Sequence, residues 1–210
     1  RDFKNFSPDL FIGWSSIARD SFRIRNAHPE ARCVLLRDSA HIRYQYDLIH
    51  GEFKKLGLKY PDRNYVLERE EEEYELADDI WVPSEWTQQT FLDRGFTTSE
   101  VHVLHYGNYI QGFQPLADRP KTSVLKVVYF GSISVRKGVH YLLEATKGFG
   151  PDELTLDLIG AVEPAFRPCF EKYSHFTHFP SMPRSELAEK IRQYDVFVFP
   201  SLEDAYAHVV

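Results

Sequence analysis

"FGSISVRKGVHYLLEA", residues 130–145, decides the reading of the chain. The apolar run "VLKVVYF" (124–130) leads into Gly131 and a short polar turn. Arg136 and Lys137 then stand side by side before Val139, Leu142, Leu143 and Thr146, which recur at helical steps. Strand, glycine turn and helix in this order are the repeating unit of a parallel α/β sheet. A helix N-terminus already carries about half a positive charge from its aligned peptide dipoles, so two cations beside it are locally unfavourable. A diphosphate offsets that cost, because helix amides, dipole and both cations can converge on it. A solvated basic pair on a surface turn is the plain alternative. Gly131 either lets a ligand approach the backbone or serves only the turn.

The same alternation extends outward in both directions. Toward the amino end, "DLFIGW" (9–14) and "RCVLL" (32–36) read as strands, and "SSIARDSFRIRNA" (15–27) as a helix between them. Ile42, Tyr46, Ile49, Phe53 and Leu56 mark one helical face. Ile80, Trp81 and Val82 form a brief strand, Pro83-Ser84 open a helix ending at Gly95, and "VHVLHYG" (101–107) is a strand again. Toward the carboxyl end, "LTLDLIG" (154–160) is a strand. "SELAEKIRQY" (185–194) is a helix with a serine cap, and "VFVFPS" (196–201) a strand into a turn. The polar stretch 108–123 is the candidate junction, breaking near 117–123, which divides the chain into domains 1–117 and 118–210. The fold class expected is α/β: two Rossmann-like domains with parallel sheets covered by helices. Ligands in such sheets sit beyond the carboxyl ends of the strands, where Gly13, Asp38, Gly107, Gly131, Gly160 and Ser201 fall.

Composition narrows the partners. The net charge of −6 over 210 residues is mostly local, since "EREEEEYE" (68–75) contributes −5. The remainder is near neutral, so nucleic acid is not an expected partner. The glutamate run reads as a solvated helix face. Cys33 and Cys169 lie far apart without metal-type spacing and read as reduced thiols of a cytoplasmic protein. No signal peptide or apolar span of membrane length is evident. Arg19, Arg23 and Arg25 read as a solvated face, with peripheral membrane contact or acceptor phosphates as the alternative.

A second chemical stretch is "FPSLEDAYAHVV" (199–210). Its carboxylates, Glu203 and Asp204, can accept hydrogen bonds from sugar hydroxyls, or simply complement the start of a helix. Two segments, "YFGSISVRKGVHYLLEA" and "YDVFVFPSLEDAYAHVV", resemble the retaining glycosyltransferases of family 4, which have the two-domain GT-B fold. "EYELADDIWVPSEWTQQTFLDRGF" followed by "VHVLHYGNYIQGFQP" is similar to the passage out of that family's first domain. The resemblance covers nearly the whole chain, with four motifs in the family's order.

The resemblance implies transfer of a hexose from a UDP- or GDP-sugar to an acceptor hydroxyl of a carbohydrate or lipid-linked acceptor, with retention at the anomeric carbon. It implies no cofactor and no metal, because helix amides and cations neutralise the leaving diphosphate. Arg136 and Lys137 become the donor diphosphate clamp, with Gly131 and Ser132 as the phosphate-side turn. Ser132 stands where many relatives have arginine, so Arg136 takes that role. Phe179, Ser181 and Met182, in "HFPSMPRSEL", are expected to line the base pocket, largely through their backbone. Asp204 matches the first family acid and His41, in "RDSAH", the histidine near the anomeric carbon, although His41 also suits a helix cap. Tyr206 matches the phenylalanine of Gly-Phe-Gly, with Ala205 and Ala207 replacing the glycines. Glu73 matches an acid before Ala-Asp and is given no chemistry. The family's second acid falls past Val210. Arg1 without methionine and Val210 within an apolar run suggest a fragment truncated at both ends, itself inactive and prone to self-association. Rival readings are a non-catalytic nucleotide-sugar binding module and a sugar-nucleotide epimerase of the same architecture.

Overall fold

The computed structural model describes residues 8–23, 28–61, 64–107, 113 and 123–207. The chain divides into two compact units. The first takes Arg1–Leu48, Asp62–Gly107 and Glu203–Tyr206, and the second Ile49–Pro61, Asn108–Leu202 and Ala207–Val210. The junction expected at 117–123 lies, except for Ser123, outside the described residues.

Unit 1 is built on four parallel strands in the order β1 (Leu10–Trp14), β2 (Arg32–Leu36), β3 (Asp79–Val82), β4 (Val101–Val103). Ile12 stands opposite Val34, Val34 opposite Asp79, and Trp81 opposite His102. The helices are α1 (Arg19–Phe22), α2 (Ile42–Lys55), α3 (Asn64–Leu76) and α4 (Glu85–Leu92), although residues 49–55 of α2 count with unit 2. Strand side chains alternate between faces. Cys33, Leu35, Ile80, Val82 and Val101 therefore meet Phe22, Leu67, Tyr74 and Phe91 in one core. The opposite face presents Leu10, Ile12 and Trp14, each about half exposed. On it the Arg32 guanidinium donates to both Asp79 oxygens at 2.6 and 2.9 Å, and His102 Nε2 lies 3.1 Å from Asp79 Oδ1.

Two expectations fail in this unit. The helix expected over 15–27 is a single turn, Arg19–Phe22, with residues 24–27 outside the described set. Ser16 adopts a left-handed φ of 71°, which no helix continues. The glutamate run is not simply solvated either. Glu70 and Glu73 are fully buried, while Glu72 and Glu71 make exposed pairs with Arg23 and Arg43. Glu73 accepts hydrogen bonds from the backbone N–H groups of Ser16 at 2.6 Å and Arg19 at 2.9 Å. Glu70 accepts from the Ser16 hydroxyl and sits 2.7 Å from buried Arg37. The run is a helix with one face turned inward to hold the turn after β1.

Unit 2 holds β5 (Leu125–Phe130), β6 (Leu154–Ile159), β7 (Thr177–Phe179) and β8 (Val196–Phe197), all parallel, in the order β7-β6-β5-β8. Its helices are α5 (Val139–Thr146), α6 (Arg167–Phe170) and α7 (Arg184–Ile191). Val128, Phe130, Ile159 and Tyr194 form a core against Met182, Leu187, Ile191 and Phe197. Pro183, not Ser185, occupies the cap of α7. Residues 201–207 carry no helix, so Glu203 and Asp204 do not complement a helix start. Four-residue α6 lies outside the sequence expectation: Pro168 and Cys169 in "RPCF" give no helical periodicity.

Both units are α/β with parallel strands and helical crossovers, as expected.

Candidate functional site

Strand order in unit 2 reverses at β5: β6 and β7 lie on one side, β8 on the other. Open α/β sheets leave a crevice beyond the carboxyl ends of the strands at such a reversal. The segments there are 131–138, after β5, and 198–202, after β8. They are joined closely. The Leu202 N–H donates to the Arg136 carbonyl at 3.0 Å, and Lys137 Nζ stands 5.4 Å from the Phe199 ring centroid. Gly138, at φ 64°, forms the cap of α5. A Cβ there would lie 2.0 Å from the Pro200 carbonyl oxygen, so only glycine lets the two segments meet. The same holds one strand over, where a Cβ on Gly160 would lie 1.8 Å from the Gly131 carbonyl.

The turn before α5 is stitched from within. Ser134, buried, accepts from the Lys137 N–H at 3.3 Å, and the Val135 carbonyl accepts from Gly138 at 2.9 Å. The Ser132 hydroxyl donates to Glu163 at 3.1 Å, and its carbonyl accepts from the Tyr129 hydroxyl at 2.6 Å. Arg136 and Lys137 thus hang from a fixed backbone immediately ahead of the first amides of α5. Two cations next to helix amides are a combination that suits an anion.

Phe179 ends β7 with its carbonyl bound by the Gly160 N–H at 2.9 Å. Its ring packs on the core and carries Lys190 Nζ 3.6 Å from its centroid. Met182 packs on the same core, and Ser181 is exposed. A second polar cluster supports α5 from residues 49–55. Glu52 accepts from Tyr141 at 2.6 Å and Lys55 at 2.8 Å, and lies 3.1 Å from His140 Nε2. Burial works against the Glu52 charge, yet these hydrogen bonds hold its carboxyl below the ordinary value.

Unit 1 gathers the remaining candidates at the carboxyl ends of its own strands. His41 is only 5% exposed and precedes α2. Its ring packs against Tyr74, Phe91 and Phe96, with Nδ1 accepting from the Arg43 N–H at 3.2 Å. Burial first, then the nearby Arg94 and Arg37 charges, push its pKa down to about 3. The imidazole is therefore neutral and caps the helix. Glu203, expected to meet sugar hydroxyls or a helix start, is instead buried, accepting from the Ala40 N–H at 3.0 Å and from Gln45 Nε2 at 2.7 Å. Asp204 beside it is half-buried. The Ala205 carbonyl accepts from Ser84 at 2.8 Å, and the Tyr206 hydroxyl donates to the Tyr106 carbonyl. Segment 203–206 so binds loops that follow β2, β3 and β4. Gly131, Ser132, Arg136 and Lys137 come together in one unit, and His41, Asp204 and Tyr206 in the other. Arg19 and Arg23 are paired with Asp20 and Glu72, and Arg25 lies outside the described residues. Among the described residues no group of three or more His, Cys, Asp or Glu is placed to hold a metal ion. No described helix is long and apolar enough to cross a membrane.

No protein-family model and no curated protein sequence matches the chain. Solved structures do. The lipopolysaccharide outer core galactosyltransferase WaaB superposes with a TM-score of 0.61 at 17% identity, covering 95% of this chain and 52% of its own. Anabaena HepE in complex with UDP and glucose gives 0.64 at 13% identity, covering 96% and 55%. The pneumococcal O-GlcNAc transferase GtfA, in complex with UDP and GlcNAc, gives 0.54 at 12%, covering 96% and 39%. The fold is that of the GT-B glycosyltransferases. The chain spans about half the length of the first two proteins and less of the third.

Proposed function

We propose that this chain carries the donor diphosphate clamp of a nucleotide-sugar-dependent glycosyltransferase. The finer reading is a family 4 enzyme that moves a hexose from a UDP- or GDP-sugar to an acceptor hydroxyl with retention. The observation that carries it is the placement of Arg136 and Lys137: between a glycine turn and α5, where the strand order of unit 2 reverses. The solved structures with UDP bound support a nucleotide donor of this kind. In this reading the two cations and the α5 amides take the charge that develops on the departing diphosphate, so no metal ion is required. Asp204 is the proposed contact to the transferred sugar, and buried His41 is proposed to shape the loop before α2 beside it. Phe179, Ser181 and Met182 meet the base through their backbone, and Tyr206 borders the donor. The domain division at 117/118 belongs to the same proposal, with the donor on the carboxyl side.

Isothermal titration with UDP, GDP and their sugars tests this reading. A charge-assisted contact contributes about 1.5–3 kcal/mol, so Lys137→Ala should weaken diphosphate binding about tenfold or more. Unchanged affinity in both Arg136→Ala and Lys137→Ala would remove the clamp. One feature favours a binding module without turnover. Ala205 is buried where the family pattern has glycine, and Ala207 replaces the other. Tight nucleotide-sugar binding without released nucleoside diphosphate is the result that reading expects.

A further inference from the structure

Two aromatic side chains at the carboxyl rim of unit 1 have no part in the sites described above. Trp86 lies in the first turn of α4, just after the Ser84 cap, and Tyr44 lies in the first turn of α2, just after His41. Both helices begin beyond the carboxyl ends of their preceding strands, where α/β sheets take their ligands. α4 buries Thr87, Thr90 and Phe91, leaving Trp86 41% exposed. The two ring centroids are 5.8 Å apart with planes at 85°, so the rings make a corner rather than a flat stack. The Arg94 guanidinium carbon stands 5.6 Å from the Tyr44 centroid, and Arg94 Nη2 lies 3.4 Å from Asp47 Oδ2. An apolar corner thus borders a planar donor group and a carboxylate acceptor.

We propose that this corner is a carbohydrate subsite that takes one pyranose ring of an acceptor. A pyranose has a face of C–H groups and a rim of hydroxyls. The C–H face buries well against an indole or phenol ring, while guanidinium and carboxylate give and accept hydrogen bonds at the rim. Sites for small polar ligands have this composition: aromatic walls with a few placed polar groups. A lone exposed tryptophan would need no explanation. Here the second ring stands at a right angle and the charged pair sits beside it. An anionic bilayer fits less well, because Asp47 lies within the patch and Arg94 is paired to it.

Naming the ligand an acceptor rests on the glycosyl-transfer reading, but binding of a sugar to this corner does not. The test is saturation-transfer NMR with methyl glycosides of glucose, galactose and N-acetylglucosamine, without nucleotide. Flotation with phosphatidylserine vesicles runs in parallel. The full chain should transfer saturation to ring protons of at least one glycoside. Trp86→Ala should lower that affinity about fivefold or more, with Trp86→Phe in between. Tyr65→Ala, an exposed aromatic on α3, should change nothing. The glycoside signal is measured without nucleotide and the diphosphate clamp by nucleotide titration, so the clamp and this subsite can fail separately. No glycoside signal, an equal signal in Trp86→Ala, or vesicle binding lost with Trp86 in place of sugar binding would each overturn the proposal.

Discussion

His41 illustrates how one side chain can be assigned chemistry by its motif and architecture by its surroundings. The ring sits among Tyr74, Phe91 and Phe96, and the backbone N–H groups around it are already paired. Its pKa of about 3 carries a stability consequence. An unfolded histidine titrates near 6.5. Below that value the unfolded chain takes up a proton that folded His41 refuses. This contribution is complete above about pH 6.5 and is lost as pH falls toward 3, by about 1.4 kcal/mol per pH unit at its steepest. His41→Asn keeps an acceptor for the helix cap and removes the titration. Urea unfolding should therefore show the stability gap between wild type and variant narrowing from pH 7 to pH 4. A gap that stays constant would mean the ring titrates normally. The burial behind this value is not legible locally, because Tyr74, Phe91 and Phe96 come from distant sequence positions and "RDSAH" alone reads equally well as an exposed loop.

At the scale of elements, apolar content made the strands legible. β1, β2, β5 and β6 follow from runs of Val, Leu, Ile and Phe, and α2 and α5 from apolar residues at steps of three and four. What failed were elements whose limits depend on partners. α1 begins only at Arg19 because Glu70 and Glu73 hold Ser16, at φ 71°, in a turn that no helix continues, and those carboxylates arrive from α3. A run of six glutamates in eight residues gives no pattern by which to tell the buried two from the other four. Paired alanine substitutions separate them. Glu73→Ala strips the acceptor from two backbone N–H groups and should cost about 2–4 kcal/mol in denaturant unfolding. Glu72→Ala, which removes exposed pairs with Arg19 and Arg23, should cost less than about 1 kcal/mol. Equal losses would mean that the inward face of α3 is not what holds the turn. The candidate clamp was legible for the opposite reason: a strand, a glycine turn, two cations and a helix are contiguous. Glu203 was not, since its burial depends on Ala40 and Gln45.

For the molecule as a whole, the half-exposed apolar face of unit 1 leads to a prediction about behaviour in solution. Parallel sheets are ordinarily covered on both sides, yet Leu10, Ile12 and Trp14 present a row of half-exposed apolar side chains. Such a surface favours self-association. Sedimentation velocity should show the 210-residue chain growing heavier with concentration, and Ile12→Glu should weaken that dependence. Identical profiles for the two proteins would place the association elsewhere or show that there is none. The parallel order of each sheet was readable from strand–helix alternation, but the exposure of Leu10, Ile12 and Trp14 was not, because β1, "LFIGW", has no charged residue on either face. The Ala40–Glu203 hydrogen bond has one more implication, for synthesis. Its partners are 163 positions apart in the chain. At about 5–20 residues per second, a ribosome leaves the Ala40 amide waiting roughly 8–33 seconds for its acceptor. During that interval the loop before α2 lacks this buried acceptor, so the first strands to emerge are among the last to be sealed.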